Sequence, residues 1–262
     1  MAQAAEPTPE TARRPRAATL RACADALLDW LYPRHCYHCD APIEPAQGHI
    51  LCRACYTALV AGRITGGLCA TCGLPMPVPP SEQAMCVSCR LQGRSFEAAR
   101  AFFTYAGPAA SVIKSYKFGG DYFLGPRFLR GVLAQGWLPA GIEAPQAVLP
   151  VPLHRRRRRE RGYDQALLLA RVLARHFRCD LVRNALVRTR YTSPQTQVPV
   201  TMRWDNVRGA FAVARRRLVQ GRSLLLVDDV LTTGTTADEC AKALKKAGAA
   251  RVQVLTLART MP

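Results

Sequence analysis

Along the second half of the chain, short unbroken apolar runs alternate with stretches whose apolar residues recur every three or four positions. Ala147 to Pro152 (AVLPVP) reads as a buried strand, a basic loop follows it, and Gln165 to Phe177 (QALLLARVLARHF) carries the period of an amphipathic helix. Ala210 to Ala214 and Ser223 to Val227 read as further strands, Thr236 to Lys246 as a helix closed by Gly248, and Arg251 to Leu257 as a last strand. Strand and helix alternating at this spacing predict an α/β fold, a parallel sheet covered on both faces. Ligands of such sheets bind beyond the C-terminal strand ends, at the point where strand order reverses. The texture begins near residue 98, so 98–262 is predicted to be one domain.

Before residue 98 the pattern is set by cysteines. Eight of the eleven form four C-x-x-C knuckles, Cys36/Cys39, Cys52/Cys55, Cys69/Cys72 and Cys86/Cys89, separated by 12, 13 and 13 residues. Thiols in a cytosolic chain stay reduced, so the knuckles read as zinc ligands, two of them completing one tetrahedral Cys₄ shell. Consecutive pairing gives two ribbons and two ions; interleaved pairing is the alternative. Gly73, directly after the third knuckle, is expected at positive φ, where backbone N–H groups turn toward the sulfurs. Few large apolar side chains lie here, so the metal, structural in role, supplies folding energy to residues 21–95, which open with a short helix. Cys23, Cys179 and Cys240 stand alone and read as core residues.

Composition adds charge to this picture. The formal net charge is +19, which favours phosphate-rich partners without identifying a site. Residues 1–20, rich in Ala, Pro, Thr and Arg without periodicity, read as a disordered leader. No stretch approaches the roughly 20 apolar residues of a membrane span and no secretory signal opens the chain, so a cytoplasmic location is expected.

The chemistry concentrates in Leu224 to Thr236 (LLLVDDVLTTGTT). Four apolar residues form a strand, Asp228 and Asp229 follow where it emerges, and Thr232, Thr233, Gly234, Thr235 and Thr236 lead into a helix. Backbone N–H groups at a helix start and threonine hydroxyls suit a phosphate. The carboxylates suit ribose hydroxyls, with a divalent cation able to bridge hydroxyl and pyrophosphate oxygens. A second cationic element, His154 to Arg161 (HRRRRRER), follows the strand at 147–152 and is expected to face the same crevice. Nothing ties a base-recognition element to a particular acceptor.

The run LLLVDDVLTTGTT resembles the signature of type I phosphoribosyltransferases, which hold phosphoribosyl pyrophosphate (PRPP). Beyond it, VPLHRRRRRERGYDQA and RYTSPQTQVPVTMRWDNVRGAFAV resemble the ComF (GntX) family, a zinc ribbon joined to a type I phosphoribosyltransferase domain. Its motifs appear as Arg161 to Gln165, as Thr192 to Gln195 or Thr196 with Gln197, and as Arg203 to Phe211. Lys114 to Gly120 resembles the family's lysine-glycine segment before the first sheet strand, placing Lys117 within reach of a phosphate, although a surface turn is its ordinary location.

The resemblance implies PRPP bound with Mg²⁺. Asp228 and Asp229 would hold the ribose hydroxyls, Thr232 to Thr236 the 5-phosphate, and Arg155, Arg156 and Arg161 the pyrophosphate. It implies a role in DNA uptake during natural competence, and leans toward a phosphoribosyltransferase activity. Alternatives are a single-stranded DNA-binding zinc protein regulated by PRPP, a nucleotide-salvage enzyme, or a scaffold for proteins of the uptake machinery. Tyr37, Tyr56, Tyr163 and Trp204 are candidates to stack on bases, against a default of buried packing.

Overall fold

The computed structural model describes residues 34–43, 50–76, 84–190 and 207–261. The leader, the expected short helix, Cys23, the Thr–Gln motif and Arg203 to Asn206 of the last motif, with Trp204, lie outside the described residues. Two compact units make up the chain, Met1–Cys52 and Arg53–Pro262.

In the first unit the backbone folds tightly around Cys36. Its N–H donates to Ala41 O at 2.9 Å, and its carbonyl accepts from Asp40 N at 2.9 Å. Asp40 takes a left-handed conformation, φ 60°, which short polar side chains tolerate best after glycine. Among its described residues Cys36, Ile43 and Leu51 are buried.

The second unit opens with helix α1 (Arg53–Ala61), a cysteine-bearing turn, and helix α2 (Val87–Gln92). Strand β1 (Ala98–Thr104) follows, then α3 (Gly107–Phe118), α4 (Leu124–Ala134), β2 (Ala147–Pro150), α5 (Arg155–Arg161), α6 (Gln165–Phe177) and β3 (Asp180–Leu181). After these come β4 (Leu186–Arg188), β5 (Phe211–Val213), β6 (Ser223–Leu231), α7 (Thr235–Lys246) and β7 (Arg251–Arg259).

Among the described residues five strands form a parallel sheet in the order β1-β7-β6-β2-β3. Leu224 and Leu226 of β6, with Val252 and Val254 of β7, share one core with Ala237, Cys240, Ala241 and Leu244 of α7. Alternation along the strand sends Leu225 and Val227 to the other face. That face receives α6, which packs on β2 and β6. Both faces are therefore covered, as the unbroken apolar runs predict. Asp164 starts α6 by accepting from Leu167 N at 3.0 Å, a side-chain cap that fixes where the chain turns in from the crevice.

Several expected elements differ in extent or company. The strand at 147–152 stops at Pro150. The strand at 210–214 shrinks to β5 and stays out of the main sheet, pairing antiparallel with β4 in a separate two-stranded ribbon. Leu186 and Phe211 bury in the α7-side core, so this ribbon is held by packing rather than by the sheet's ladder. The basic loop is instead helix α5. His154 caps it, its Nδ1 accepting from Arg156 N at 3.2 Å, Arg156 pairs with Glu160 at 3.0 Å, and Gly162 ends it in the left-handed conformation. Lys114 to Gly120 lies after β1, not before it, and closes α3.

β1 is an edge strand, and its outer edge is covered. Ile64 N donates to Phe102 O at 3.0 Å, Thr104 N to Gly62 O at 2.9 Å, and Ala99 N to Thr71 O at 2.6 Å. Residues 62–71 thereby occupy backbone groups that an open edge would offer to another strand.

Candidate functional site

From β2 the chain steps outward to β3; it later returns to β6 on the other side of β2 and steps outward again to β7. Strand order thus reverses between β2 and β6. The crevice beyond their C-terminal ends receives the segment after β6 and the helix after β2, the two elements singled out for phosphate chemistry.

Pairing keeps β6 extended through Leu231, two residues past the acidic pair. Asp228 and Asp229, adjacent in the chain, therefore point to opposite faces. Asp229 meets α3, where Lys117 Nζ lies 2.9 Å from its Oδ1. Burial opposes the Lys117 charge, but Asp229 outweighs it and raises the ammonium's pKa. Lys117 is thus a largely buried partner of the acidic pair, in the last turn of a helix rather than on a surface turn. Asp228 shares its face with Leu224 and Leu226 and accepts from the Asp229 N–H at 2.9 Å. Burial and the neighbouring Asp229 push its carboxyl up to about 7. Among the described residues Asp228 has no ion pair, so of the two carboxylates it is the one without a cation in contact.

After Leu231 the chain passes through Thr232 and Thr233 and turns at Gly234, whose φ of 79° and ψ of 0° let α7 begin at Thr235. The Thr233 and Thr235 hydroxyls lie 2.7 Å apart across the turn. Hydroxyls, a left-handed glycine and the first turn of a 12-residue helix come together here. This is a cradle suited to an anion.

Arginines of α5 divide in two groups. Arg155 and Arg156 are exposed, and Arg156 is engaged by Glu160. Arg161 turns back over the Phe118 ring, 5.3 Å from its centroid, beside Lys117. Arg188 of β4 escaped the sequence reading, since a three-residue strand carries no signal of its own. Its guanidinium stacks 5.3 Å from the Phe211 ring centroid. Burial lowers its pKa, and it feels the charges of both Arg157 and Asp228. Tyr116 supports the site from below, with its hydroxyl donating to Gln165 O at 2.9 Å and its carbonyl accepting from the Tyr163 hydroxyl.

Of the aromatic residues proposed to stack on bases, Tyr56 lies 6.2 Å from Trp137 and Tyr163 lies 5.8 Å from Tyr116, each packed on its neighbour. Tyr37 is 37% exposed. A different group is open beside the crevice: Phe118 at 74% exposure, Tyr122 at 46% and Phe123 at 64%.

All eight knuckle cysteines fall into two clusters by consecutive pairing, Cys36/Cys39/Cys52/Cys55 and Cys69/Cys72/Cys86/Cys89, with sulfurs within 4.8 Å of one another in each. Four sulfurs about 2.3 Å from a tetrahedral zinc lie about 3.8 Å apart. Cys39 and Cys52 sulfurs are separated by 3.6 Å, and Cys72 and Cys86 sulfurs by 3.7 Å, so the spacing fits zinc. Donors fit too. Burial raises the Cys36 thiol, but backbone N–H groups, that of Cys39 first, outweigh it and bring it down to about 6. Cys69, accepting from Cys72 N and Cys86 N, comes down to about 7 in the same way. Gly73 takes the positive φ expected of it, 68°. Two structural Cys₄ zinc centres follow.

A parallel sheet with an acidic pair and a threonine-glycine turn at its switch point, preceded by paired Cys₄ knuckles, defines a phosphoribosyltransferase-fold protein with a double zinc ribbon. Family comparison agrees: a phosphoribosyl transferase domain matches residues 163–261 and a double zinc ribbon domain residues 27–90. The chain belongs to the ComF family. It is 33% identical over 233 residues to the DNA utilization protein YhgH of Escherichia coli K12, covering 87% of this chain and 98% of that one. It is 29% identical over 228 residues to competence protein F of Haemophilus influenzae, covering 86% and 96%. Among solved structures, the glutamine PRPP amidotransferase from B. subtilis aligns with 50% of this chain and 25% of its own, at 26% identity and a TM-score of 0.33. Among the described residues no helix is long and apolar enough to cross a membrane.

Proposed function

We propose that the crevice binds PRPP with Mg²⁺, and that the protein acts in DNA uptake, as the names of its relatives suggest. The observation that carries the reading is the arrangement after β6: an acidic pair, a hydroxyl-lined turn and a helix start in one continuous segment at the switch point. Thr232 to Thr236 would take the 5-phosphate. Asp228 and Asp229 would accept from the ribose hydroxyls, and Asp228, without an ion pair, is the carboxylate that fits Mg²⁺. Bound there, the ion would offset charge on the pyrophosphate. Lys117, Arg161 and Arg188 add fixed cations around the same space, so the chain's own contribution is positioning and charge. Arg155 and Arg156, at the exposed end of α5, would meet a pyrophosphate or a longer polyanion.

A second reading, single-stranded DNA binding with PRPP as regulator, is favoured by the exposed Phe118, Tyr122 and Phe123 beside the arginine helix. One set of titrations tests both. Calorimetry with PRPP and Mg²⁺, and separately with single-stranded oligonucleotide, would compare the parent with Asp228→Asn/Asp229→Asn and with Arg155→Gln/Arg156→Gln/Arg158→Gln. Loss of PRPP binding in the acidic variant with retained DNA binding supports two functions at separate groups. PRPP binding unchanged in that variant overturns the site. DNA binding should weaken steeply with salt and fall in the arginine variant.

A further inference from the structure

Arginine is rarely buried without a carboxylate, yet two of the described arginines are. Arg100, in the middle of β1, is 9% exposed, and Arg259, the last residue of β7, is 6% exposed. Parallel register places Arg100 opposite Leu255 and Thr104 opposite Arg259, so both guanidinium groups leave the same face of the sheet. Arg100 donates from Nη1 to Ala70 O at 3.0 Å and to Ala99 O at 2.9 Å, and from Nε to Ala140 O at 2.9 Å. Arg259 donates from Nη1 to Cys72 O at 2.6 Å, and its buried Nε has no hydrogen-bond partner. Every one of these acceptors is a neutral carbonyl, and two belong to the third cysteine knuckle. Among the described residues neither arginine has an ion pair.

Carbonyls satisfy N–H donors but leave the charge itself uncompensated, and a lone buried cation is among the least favourable things a protein can contain. Both side chains hold backbone carbonyls of the turn that carries Cys69 and Cys72, so the negative charge they back is that of the cluster Cys69/Cys72/Cys86/Cys89. Four thiolates around one Zn²⁺ carry a net charge of about −2. Two guanidinium groups carry about +2. The sums cancel.

We propose that Arg100 and Arg259 are the counter-ions of the second zinc centre. The inference rests on zinc occupying that cluster. It makes occupancy of the centre and seating of the ribbon on the outer edge of β1 a single equilibrium. Zinc holds the sulfurs, the charged sulfurs hold the arginines, and the arginines belong to β1 and β7. Without the ion nothing holds four sulfurs and their charge together beside the two buried cations, so metal loss is transmitted into the sheet. The carbonyl contacts orient the two forks; charge decides whether they stay.

The experiment is chelator competition on the full chain. Bound zinc is counted by native mass spectrometry, and iodoacetamide labelling with peptide mass spectrometry shows which cysteines are released. In the parent, two zinc ions are expected. In Arg259→Met and Arg259→Gln, the Cys69/Cys72/Cys86/Cys89 zinc should leave at a chelator concentration at least tenfold lower. The Cys36/Cys39/Cys52/Cys55 zinc, an internal control in the same molecule, should leave as in the parent. Arg259→Lys, which keeps the charge, should recover most of the retention. Arg259→Gln separates charge from hydrogen bonding because it keeps an N–H for Cys72 O. Parent-like retention in Arg259→Gln overturns the proposal, as does equal loss from both centres or a parent whose second cluster holds no zinc. Arg100→Met repeats the test from β1; should it fail to fold, the three Arg259 variants suffice.

Discussion

Asp228 and Asp229 show how little adjacency in a chain says about environment. One extra strand residue sends one carboxylate to a lysine and the other to the opposite face of the sheet, the face that α7 covers. The difference has a measurable sign. Asp228 has a folded pKa of about 7 against an ordinary 3.8, so its ionisation disfavours the folded state. That penalty is absent below the ordinary value, grows as pH rises between the two, and is complete above about 7. Asp228→Asn should therefore be more stable than the parent at pH 8 by roughly 1 kcal/mol or more, about 2–4 °C in Tm for a unit of this size, with a smaller difference at pH 5. Thermal melts at the two pH values check this; an advantage that grows on acidification contradicts the assignment. The acidic pair itself was legible, because two carboxylates after an apolar run stand out in sequence. Their company was not. Lys117 is more than a hundred residues away and sits at the end of a helix, and only the packing of α3 on the sheet brings them together.

At the level of elements, legibility followed period and punctuation. Gln165 to Phe177 was readable to the residue because Asp164 caps it and its apolar spacing is regular. Arg155 to Arg161 was not, because a run of one residue type has no amphipathic pattern, and its helicity comes from the His154 cap, the Arg156–Glu160 pair and Gly162. The strand at 211–213 was recognised as extended but not assigned to its partner, since three residues cannot tell a sheet from a ribbon. Knuckle turns are the opposite case, with spacing, glycine and metal chemistry all agreeing. Gly73 adds a constraint that spacing does not reveal: a Cβ there would lie 2.4 Å from Ala99 O of β1. Gly66, at φ 87°, has nothing within 4 Å of the same position. Gly66→Ala should cost about 1 kcal/mol, the left-handed penalty alone. Gly73→Ala adds the collision and should cost more than about 2 kcal/mol, visible as a lower denaturation midpoint and easier zinc release. Equal costs for the two would mean that the turn is free to move off β1.

For the whole molecule, the architecture was legible in both halves: paired cysteines ahead, alternating strand and helix behind. What the pattern could not show is that the second half begins with an edge strand already paired along its outside. The backbone groups of Ala99, Phe102 and Thr104 are taken by Thr71, Ile64 and Gly62, on the segment that leads into and through the third knuckle. Zinc in that knuckle would therefore also protect solubility. When it is withdrawn, the segment has less to hold it and β1 becomes a bare ladder that a second molecule can extend. Chelated protein should scatter light and form intermolecular β-structure at concentrations where the metal-loaded protein stays monodisperse, as light scattering and infrared spectroscopy would record. Cys36→Ser, which disturbs the other cluster, should not mimic this. For a cell, a shortage of zinc would then be felt less as lost chemistry than as precipitated protein.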